Sequence, residues 1–326
     1  MNDWLEIDLR PLRLGELLDR TFVLYRSRFW LFAGILLIPH AVLLAGNLLV
    51  QGLLSQGQAG SQVDPSANPG AFVGAMAGGM ATWVLYFIVY SIALGAATFA
   101  VSDVYLNRPT TILGAFQKLR GRIGSLLGLL FVMGVLFVLL FFAAAFLAAM
   151  LGGALALLGP TAGGIAAVVI FLGMFVLFAW IMLQFSLAVP ALVLERAGVF
   201  ESLSRSSQLT RGRRGQVFVG FLLVFLLTYN AVILIQSPFL AGVFSYSLKG
   251  QVPPFWLAAM SLITAAVSSV LTGPFGVLVI ALFYYDARVR KEALDLRLLL
   301  AKAEREDQPA EAAPVPMAHL PRTLLG

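Results

Sequence analysis

Long apolar runs alternate along the chain with short stretches that mix charge and hydrophobicity, and that alternation predicts most of the fold. Six runs, roughly 30–54, 71–102, 123–150, 162–194, 216–245 and 255–285, carry no Asp, Glu, Lys or Arg. Each exceeds the ~20 residues that a helix rising 1.5 Å per residue needs to cross ~30 Å of hydrocarbon. A backbone inside lipid has no water to bond, so each run is predicted to be a helix with its hydrogen bonds internal. The polar segments between them show a different helical spacing. Leu14, Leu17, Leu18, Thr21 and Tyr25 fall on one face, while Glu16, Asp19, Arg20 and Arg26 fall elsewhere. This pattern predicts an amphipathic helix lying in the interface, an elbow leading into the first span.

The elbow pattern returns. ELLDRTFVLYRSR at 16–28 and ESLSRSSQLTRGR at 201–213 share Glu16/Glu201, Leu18/Leu203, Arg20/Arg205, Leu24/Leu209, Arg26/Arg211 and Arg28/Arg213 at one offset of 185 residues. About half that offset lands on RPTTILGAFQKLR at 108–120, where Lys118 and Arg120 take the places of Arg26 and Arg28. Independently, the even-numbered runs end on Asp103, Glu195 and Asp286, 92 and 91 residues apart. These periods predict an all-α, six-span membrane domain over 1–300. It is made of three elbow-plus-hairpin repeats at approximately 10–105, 106–197 and 198–288, followed by a basic segment. The Pro-, Ala- and charge-rich stretch 301–326 is predicted to be a disordered tail. Glu16–Arg20 and Glu201–Arg205 are acid-first i,i+4 pairs, each expected to add ~0.2–0.5 kcal/mol to its elbow.

Composition agrees: 60% hydrophobic residues, 12% charged and a mean hydropathy of +0.91 exclude a soluble globular domain. Orientation comes from the cations. Segments 1–29, 106–122, 195–214 and 286–326 hold 5, 4, 5 and 7 Lys plus Arg, all but Lys249 of the 22. The positive-inside rule therefore puts both termini in the cytoplasm, and the protein in the cell (inner) membrane. The net charge of +6 then reflects loops held beside anionic lipid, not a nucleic-acid surface. With no cysteine, disulfides, thiolate metal sites and thiol nucleophiles are excluded. The first apolar run is too long for a signal-peptide core and is expected to be retained.

Three elements, RPLRLGELLDRTFVLYRSRFW at 10–30, PALVLERAGVFESLSRSSQLTRGR at 190–213 and YYDARVRKEALDLRLL at 284–299, resemble the glycerophosphoryl diester phosphodiesterase membrane domain family. The likeness covers most of residues 10–300. It implies a six-helix integral membrane protein of a family in which some members carry a phosphodiesterase domain and many stand alone without established activity. This chain resembles the second kind. Metal-assisted hydrolysis needs clustered carboxylates or histidines, whereas the two histidines here, His40 and His319, lie in the first run and in the tail. No Gly-rich phosphate loop, nucleophile elbow or HExxH occurs, so no catalytic residue, metal ligand or cofactor is expected.

The candidate chemistry is interfacial. Asp103, Glu195 and Asp286 would meet at a cytoplasmic mouth if the repeats surround a pseudo-threefold axis, forming a cation or headgroup site. The preferred expectation is that each pairs with elbow arginines such as Arg28, Arg120 or Arg213 and holds its hairpin to the interface. The elbow cations are Arg26, Arg28, Lys118, Arg120, Arg211 and Arg213. Deeper, His40 lies ~15 Å along its helix from Trp30. It is either part of a proton or substrate pathway or a partner for a carbonyl that Pro39 frees. Asn230, Gln184 and Gln236 are expected to make interhelical hydrogen bonds. Gly70, Gly74 and Gly78, and Ala144, Ala148 and Gly152, mark close helix packing, within or between chains. Pro190, Pro238 and Pro274 would kink their helices or break them into binding halves. The expected function is a non-catalytic membrane module that organises membrane lipids, other membrane proteins or a separate enzyme. A carrier of a lipid or amphipathic small molecule is the alternative; an intramembrane hydrolase ranks last.

Overall fold

A computed structural model describes residues 12–57, 69–157, 159–251 and 253–293, so the expected tail at 301–326 lies outside the described residues. Among the described residues, the elements are ten α-helices and a 3-10 turn at Arg120–Arg122. Three short helices, α1 (Leu14–Ser27), α4 (Ile112–Leu119) and α8 (Val199–Thr210), each precede a pair of long ones. The pairs are α2 (Phe29–Gly57) with α3 (Pro69–Tyr105), α5 (Ile123–Ala156) with α6 (Pro160–Phe185), and α9 (Arg214–Leu248) with α10 (Phe255–Glu292). A further short helix, α7 (Ala188–Glu195), continues α6. Each long helix packs most extensively on its sequence partner. Among the described residues, which are all-helical in their regular structure, six helices are long and apolar enough to cross a membrane, counting α6 and α7 as one, and the protein is a multi-pass membrane protein.

Two of the short helices, α1 and α8, owe their starts to acids. Glu16 accepts the backbone N–H of Arg13 at 2.9 Å, and Glu201 accepts that of Gly198 at 3.1 Å. Each carboxylate thus caps an amide that the helix leaves unpaired. The expected Glu201–Arg205 pair gives way to this cap, and Arg205 turns to other carboxylates. α4 is only two turns long; Thr111 Oγ1 accepts the Gly114 N–H at 3.1 Å, and the 3-10 turn leads straight into α5.

The core lies at one end of the bundle, the end that carries the short helices. It joins Leu17 and Leu24 of α1, Ile35 and Leu36 of α2, Ala93–Val104 of α3, Leu119, Leu126 and Leu129, Ala188–Val193 of α7 and Val277–Val289 of α10. At the opposite end the same helices turn large apolar side chains outward, including Val73, Met80 and Trp83 of α3 and Phe255, Trp256 and Met260 of α10. Lipid tails solvate such groups as well as protein does, so outward-facing residues cost little there.

Prolines act differently from one another. Pro39, Pro238 and Pro274 sit inside uninterrupted helices. Pro190 has no N–H for the Ser186 carbonyl, and α6 stops at Phe185 while α7 restarts at Ala188. The break is sealed by α8: Ser206 Oγ accepts the Leu187 N–H at 3.1 Å and donates to the Gln184 carbonyl at 2.9 Å.

Small residues work within the chain. A Cβ at Gly163 would stand 2.6 Å from the Gly152 carbonyl oxygen and 2.8 Å from Ala156 Cα, so α5 and α6 cross almost backbone to backbone. Of the expected α3 glycines, Gly78 faces Val50 of α2, while Gly74 faces open space. Gly163→Val is therefore expected to destabilise by ~1–3 kcal/mol through overpacking. Gly79→Ala, with nothing within 4 Å of its new methyl, should stay within ~0.5 kcal/mol. Thermal unfolding in detergent checks both, and equal shifts would contradict the crossing.

Candidate functional site

α10 runs 38 residues, about 57 Å at 1.5 Å per residue, and so extends well past a ~30 Å hydrocarbon core. Near its end three successive side chains, about 100° apart around the helix, reach three parts of the molecule. Tyr284 Oη donates to Glu195 Oε1 at the end of α7, at 2.7 Å. Tyr285 Oη shares a 2.6 Å hydrogen bond with Ser102 Oγ of α3. Asp286 accepts the backbone N–H of Leu12, ahead of α1, at 2.9 Å and pairs with Arg213, ahead of α9. The Asp286 side chain is 1% exposed. Arg290, one turn on, pairs with it at 3.0 Å and donates to the Leu12 carbonyl at 2.7 Å. Both backbone polar groups of Leu12 are thereby tied to α10.

Glu195 belongs to a closed ring of alternating charge. Arg205 of α8 donates to it at 2.8 Å and pairs with Glu292. Glu292 pairs at 3.1 Å with Arg288, which lies 3.7 Å from Glu195. Burial disfavours the Arg205 cation, but the hydrogen bond and charge of Glu195, joined by Glu292, outweigh it and raise its pKa above the ordinary arginine value. Asp103 is held by Lys118 at 2.5 Å, a lysine whose side chain is 46% exposed. Beside it, Arg20 lies over the Tyr105 ring, which stacks on Tyr285 at 4.8 Å.

The three carboxylates therefore do pair with cations around the elbows, through Lys118, Arg205 and Arg213. Arg28 and Arg120, the other partners expected, instead have exposed side chains, as do Arg26 and Arg211; none of the four forms an ion pair among the described residues. Arg120 opens the 3-10 turn that follows α4, and its side chain is exposed. Nor do the carboxylates converge on one cation: each has its own, and no group of three His, Asp or Glu able to hold a metal lies among the described residues. Tyr284, Arg288, Arg290 and Glu292 were not singled out from sequence. Their signal was present, since Tyr284–Arg288–Glu292 and Asp286–Arg290 follow i,i+4 spacing along YYDARVRKE.

The deeper polar residues stand apart. His40 is buried, and its Nδ1 lies 2.7 Å from the Leu36 carbonyl, which makes Nδ1 the donor. Pro39 has no N–H for the Ile35 carbonyl, and the imidazole bonds the adjacent carbonyl, one turn before His40. Its ring packs edge-on to Tyr86 and Tyr90 of α3, at 5.9 and 6.3 Å. Asn230 is exposed on α9, and its amide returns to Leu226 of the same helix at 2.6 Å, not to another helix. Among the described residues no hydrogen bond joins the two. Gln236 does bridge α9 to Ser268 of α10 at 3.1 Å, and Gln184 accepts from Arg214 at 3.1 Å.

A family model described as "Domain of unknown function (DUF7847)" matches residues 32–287, and the chain belongs to that family. No curated protein and no solved structure matches the chain.

Asp286→Ala would strand Arg213 and Arg290 and is expected to cost ~3–5 kcal/mol, the scale for breaking a buried pair. Asp103→Ala frees a lysine that turns to water and should cost ~0–1 kcal/mol. Thermal unfolding followed by tryptophan fluorescence separates them; equal losses would refute the central place of Asp286.

Proposed function

We propose that this member of the DUF7847 family is a non-catalytic membrane module that organises anionic lipids, and through them partner proteins, at the cytoplasmic face of the cell membrane. It is built from three repeats, each an interfacial elbow and a helical hairpin, with both termini in the cytoplasm. Several features support the repeats. α1, α4 and α8 precede the three hairpins; Glu16 and Glu201 cap their helices in register; and each carboxylate bonds a different elbow region. Asp103 reaches Lys118 of α4, Glu195 reaches Arg205 of α8, and Asp286 reaches Leu12 at the entry to α1. Three units closing in a cycle would produce that order.

The observation that carries the functional reading is a division among the basic residues. Lys118, Arg205 and Arg213 face carboxylates, while Arg26, Arg28, Arg120 and Arg211 are left exposed at the same end. Cations beside an anionic leaflet each add about 1 kcal/mol of attraction. A carrier has less support. Three of the four helix prolines leave their helices continuous, the one break is filled by Ser206, and His40 and Asn230 are engaged within their own helices. The resemblance over residues 10–300 fits a module whose associated chemistry resides on a separate enzyme.

The chain has no cysteine, so single cysteines report cleanly. Those at Thr161 and Gly250 are expected to label from outside and one at Ser204 from the cytoplasm. Replacing Arg26, Arg28, Arg120 and Arg211 together by Gln is expected to lower anionic-lipid enrichment in native-membrane particles to the bulk level. Cytoplasmic labelling of Thr161, or unchanged enrichment, would overturn the proposal.

A further inference from the structure

Two clefts open at the elbow end, one repeat offset apart. The first, of about 660 Å³, lies between Trp180 of α6, the last turn of α8 and the start of α9. Subtracting 185 from its lining residues Ser207, Gln208, Arg211, Gly212 and Arg214 gives Phe22, Val23, Arg26, Ser27 and Phe29, all of which line the second, of about 800 Å³. The two share a place in the fold but not a chemistry. The first cleft is lined by two arginines and no acid. In the second, Phe29 stands where Arg214 would be, and Asp19 offsets Arg26.

The arginines of the first cleft differ from their neighbours. Arg205, Arg213, Arg288 and Arg290 each face a carboxylate. Arg211 is exposed and forms no ion pair among the described residues. Arg214 lies over the Trp180 indole, 4.5 Å from the ring centroid, and donates to Gln184, but its Nε is buried with no hydrogen-bond partner. Lys291 adds a third cation behind the wall, donating to the carbonyls of Gln208 and Arg211 at 2.5 and 2.8 Å. Such a cluster lacks an anion. Paired guanidinium forks match phosphate oxygens, and an indole at the lipid–water boundary suits the region where headgroup meets acyl chain.

We infer that this cleft seats the phosphate of one anionic phospholipid, with Arg211 and Arg214 as its counter-charges and Trp180 flanking the lipid's glycerol region. The site rests on the lipid-organising reading and gives it a defined address. Gly215 offers a way to test it, since a Cβ there meets nothing within 4 Å although the residue lines the cleft. Gly215→Glu adds a Cβ that meets no neighbour and brings a carboxylate to the cleft wall, in the first turn of a helix where acids are favoured.

The test is native mass spectrometry of the full chain released from phosphatidylcholine nanodiscs containing phosphatidylglycerol as the minor lipid. The wild-type chain is expected to retain one phosphatidylglycerol. Arg211→Gln and Gly215→Glu, each with wild-type thermal unfolding, should lower that occupancy about tenfold, the scale of one lost charge-assisted hydrogen bond. Arg26→Gln, the same charge change at the equivalent position of the other cleft, should lower it by far less. Equal loss in Arg26→Gln and Arg211→Gln would overturn the dedicated site while leaving the lipid-organising reading in place. Undiminished occupancy in Gly215→Glu and Arg211→Gln would also overturn the site. Displacement of the lipid by free inorganic phosphate would overturn the lipid as occupant. No preference for phosphatidylglycerol over phosphatidylcholine in the wild-type chain or its lipid shell would bring down the underlying reading instead.

Discussion

A carboxylate shut away from water must find its charge partners inside the protein, and Asp286 meets that demand with groups from three separate places. Its partners are the Leu12 amide ahead of α1, Arg213 at the entry to α9 and Arg290 on its own helix. Leaving any of them unpaired would expose a buried polar group to a medium that cannot hydrate it. The entry to α1, the turn before α9 and the last helix are consequently fixed together. Tyr285 and Tyr284, one and two residues earlier, extend the same tie to α3 and α7. Apolar faces in lipid have little preference for one neighbour over another, so polar contacts at this end supply specificity that the apolar surfaces lack.

That division explains why packing is concentrated where it is. The elbow end combines ion pairs, tyrosine hydroxyls and a continuous apolar core. The far halves of α3, α5, α6 and α10 present aromatic and aliphatic side chains outward. The same end holds two populations of cation. Some neutralise carboxylates and hold the fold; others are exposed and form no ion pair among the described residues. A molecule arranged this way couples the integrity of its bundle to the placement of its basic surface.

Much of this was legible in the sequence. Charge-free runs marked the spans because lipid forces a helical backbone, and the spacing of Asp103, Glu195 and Asp286 marked the groups that tie the elbows down. The particular partners were less accessible. Lys118 and Arg120 stand two residues apart, about 200° around a helix, so composition cannot say which one faces Asp103. Arg205 could have answered Glu201 on its own helix; the need to cap α8 at Gly198 turned Glu201 away and left Arg205 to Glu195 and Glu292. The seal between Ser206 and Leu187 was invisible, because a proline announces a disturbed helix without naming what fills it. Asn230, expected to bond between helices, is satisfied within α9 because a carbonyl one turn back is always within reach of a short amide.

Hydrogen–deuterium exchange across α1 and α8 in lipid nanodiscs, comparing the wild-type chain with Asp286→Asn, tests the central claim most directly. If Asp286 holds the elbows to α10, loss of its charge accelerates exchange in α1, from Leu12 onward, and in α8, while the α5–α6 crossing at Gly152 and Gly163 stays protected. Unchanged protection of α1 and α8 would contradict the account, because the elbows would then be held without the contacts of Asp286.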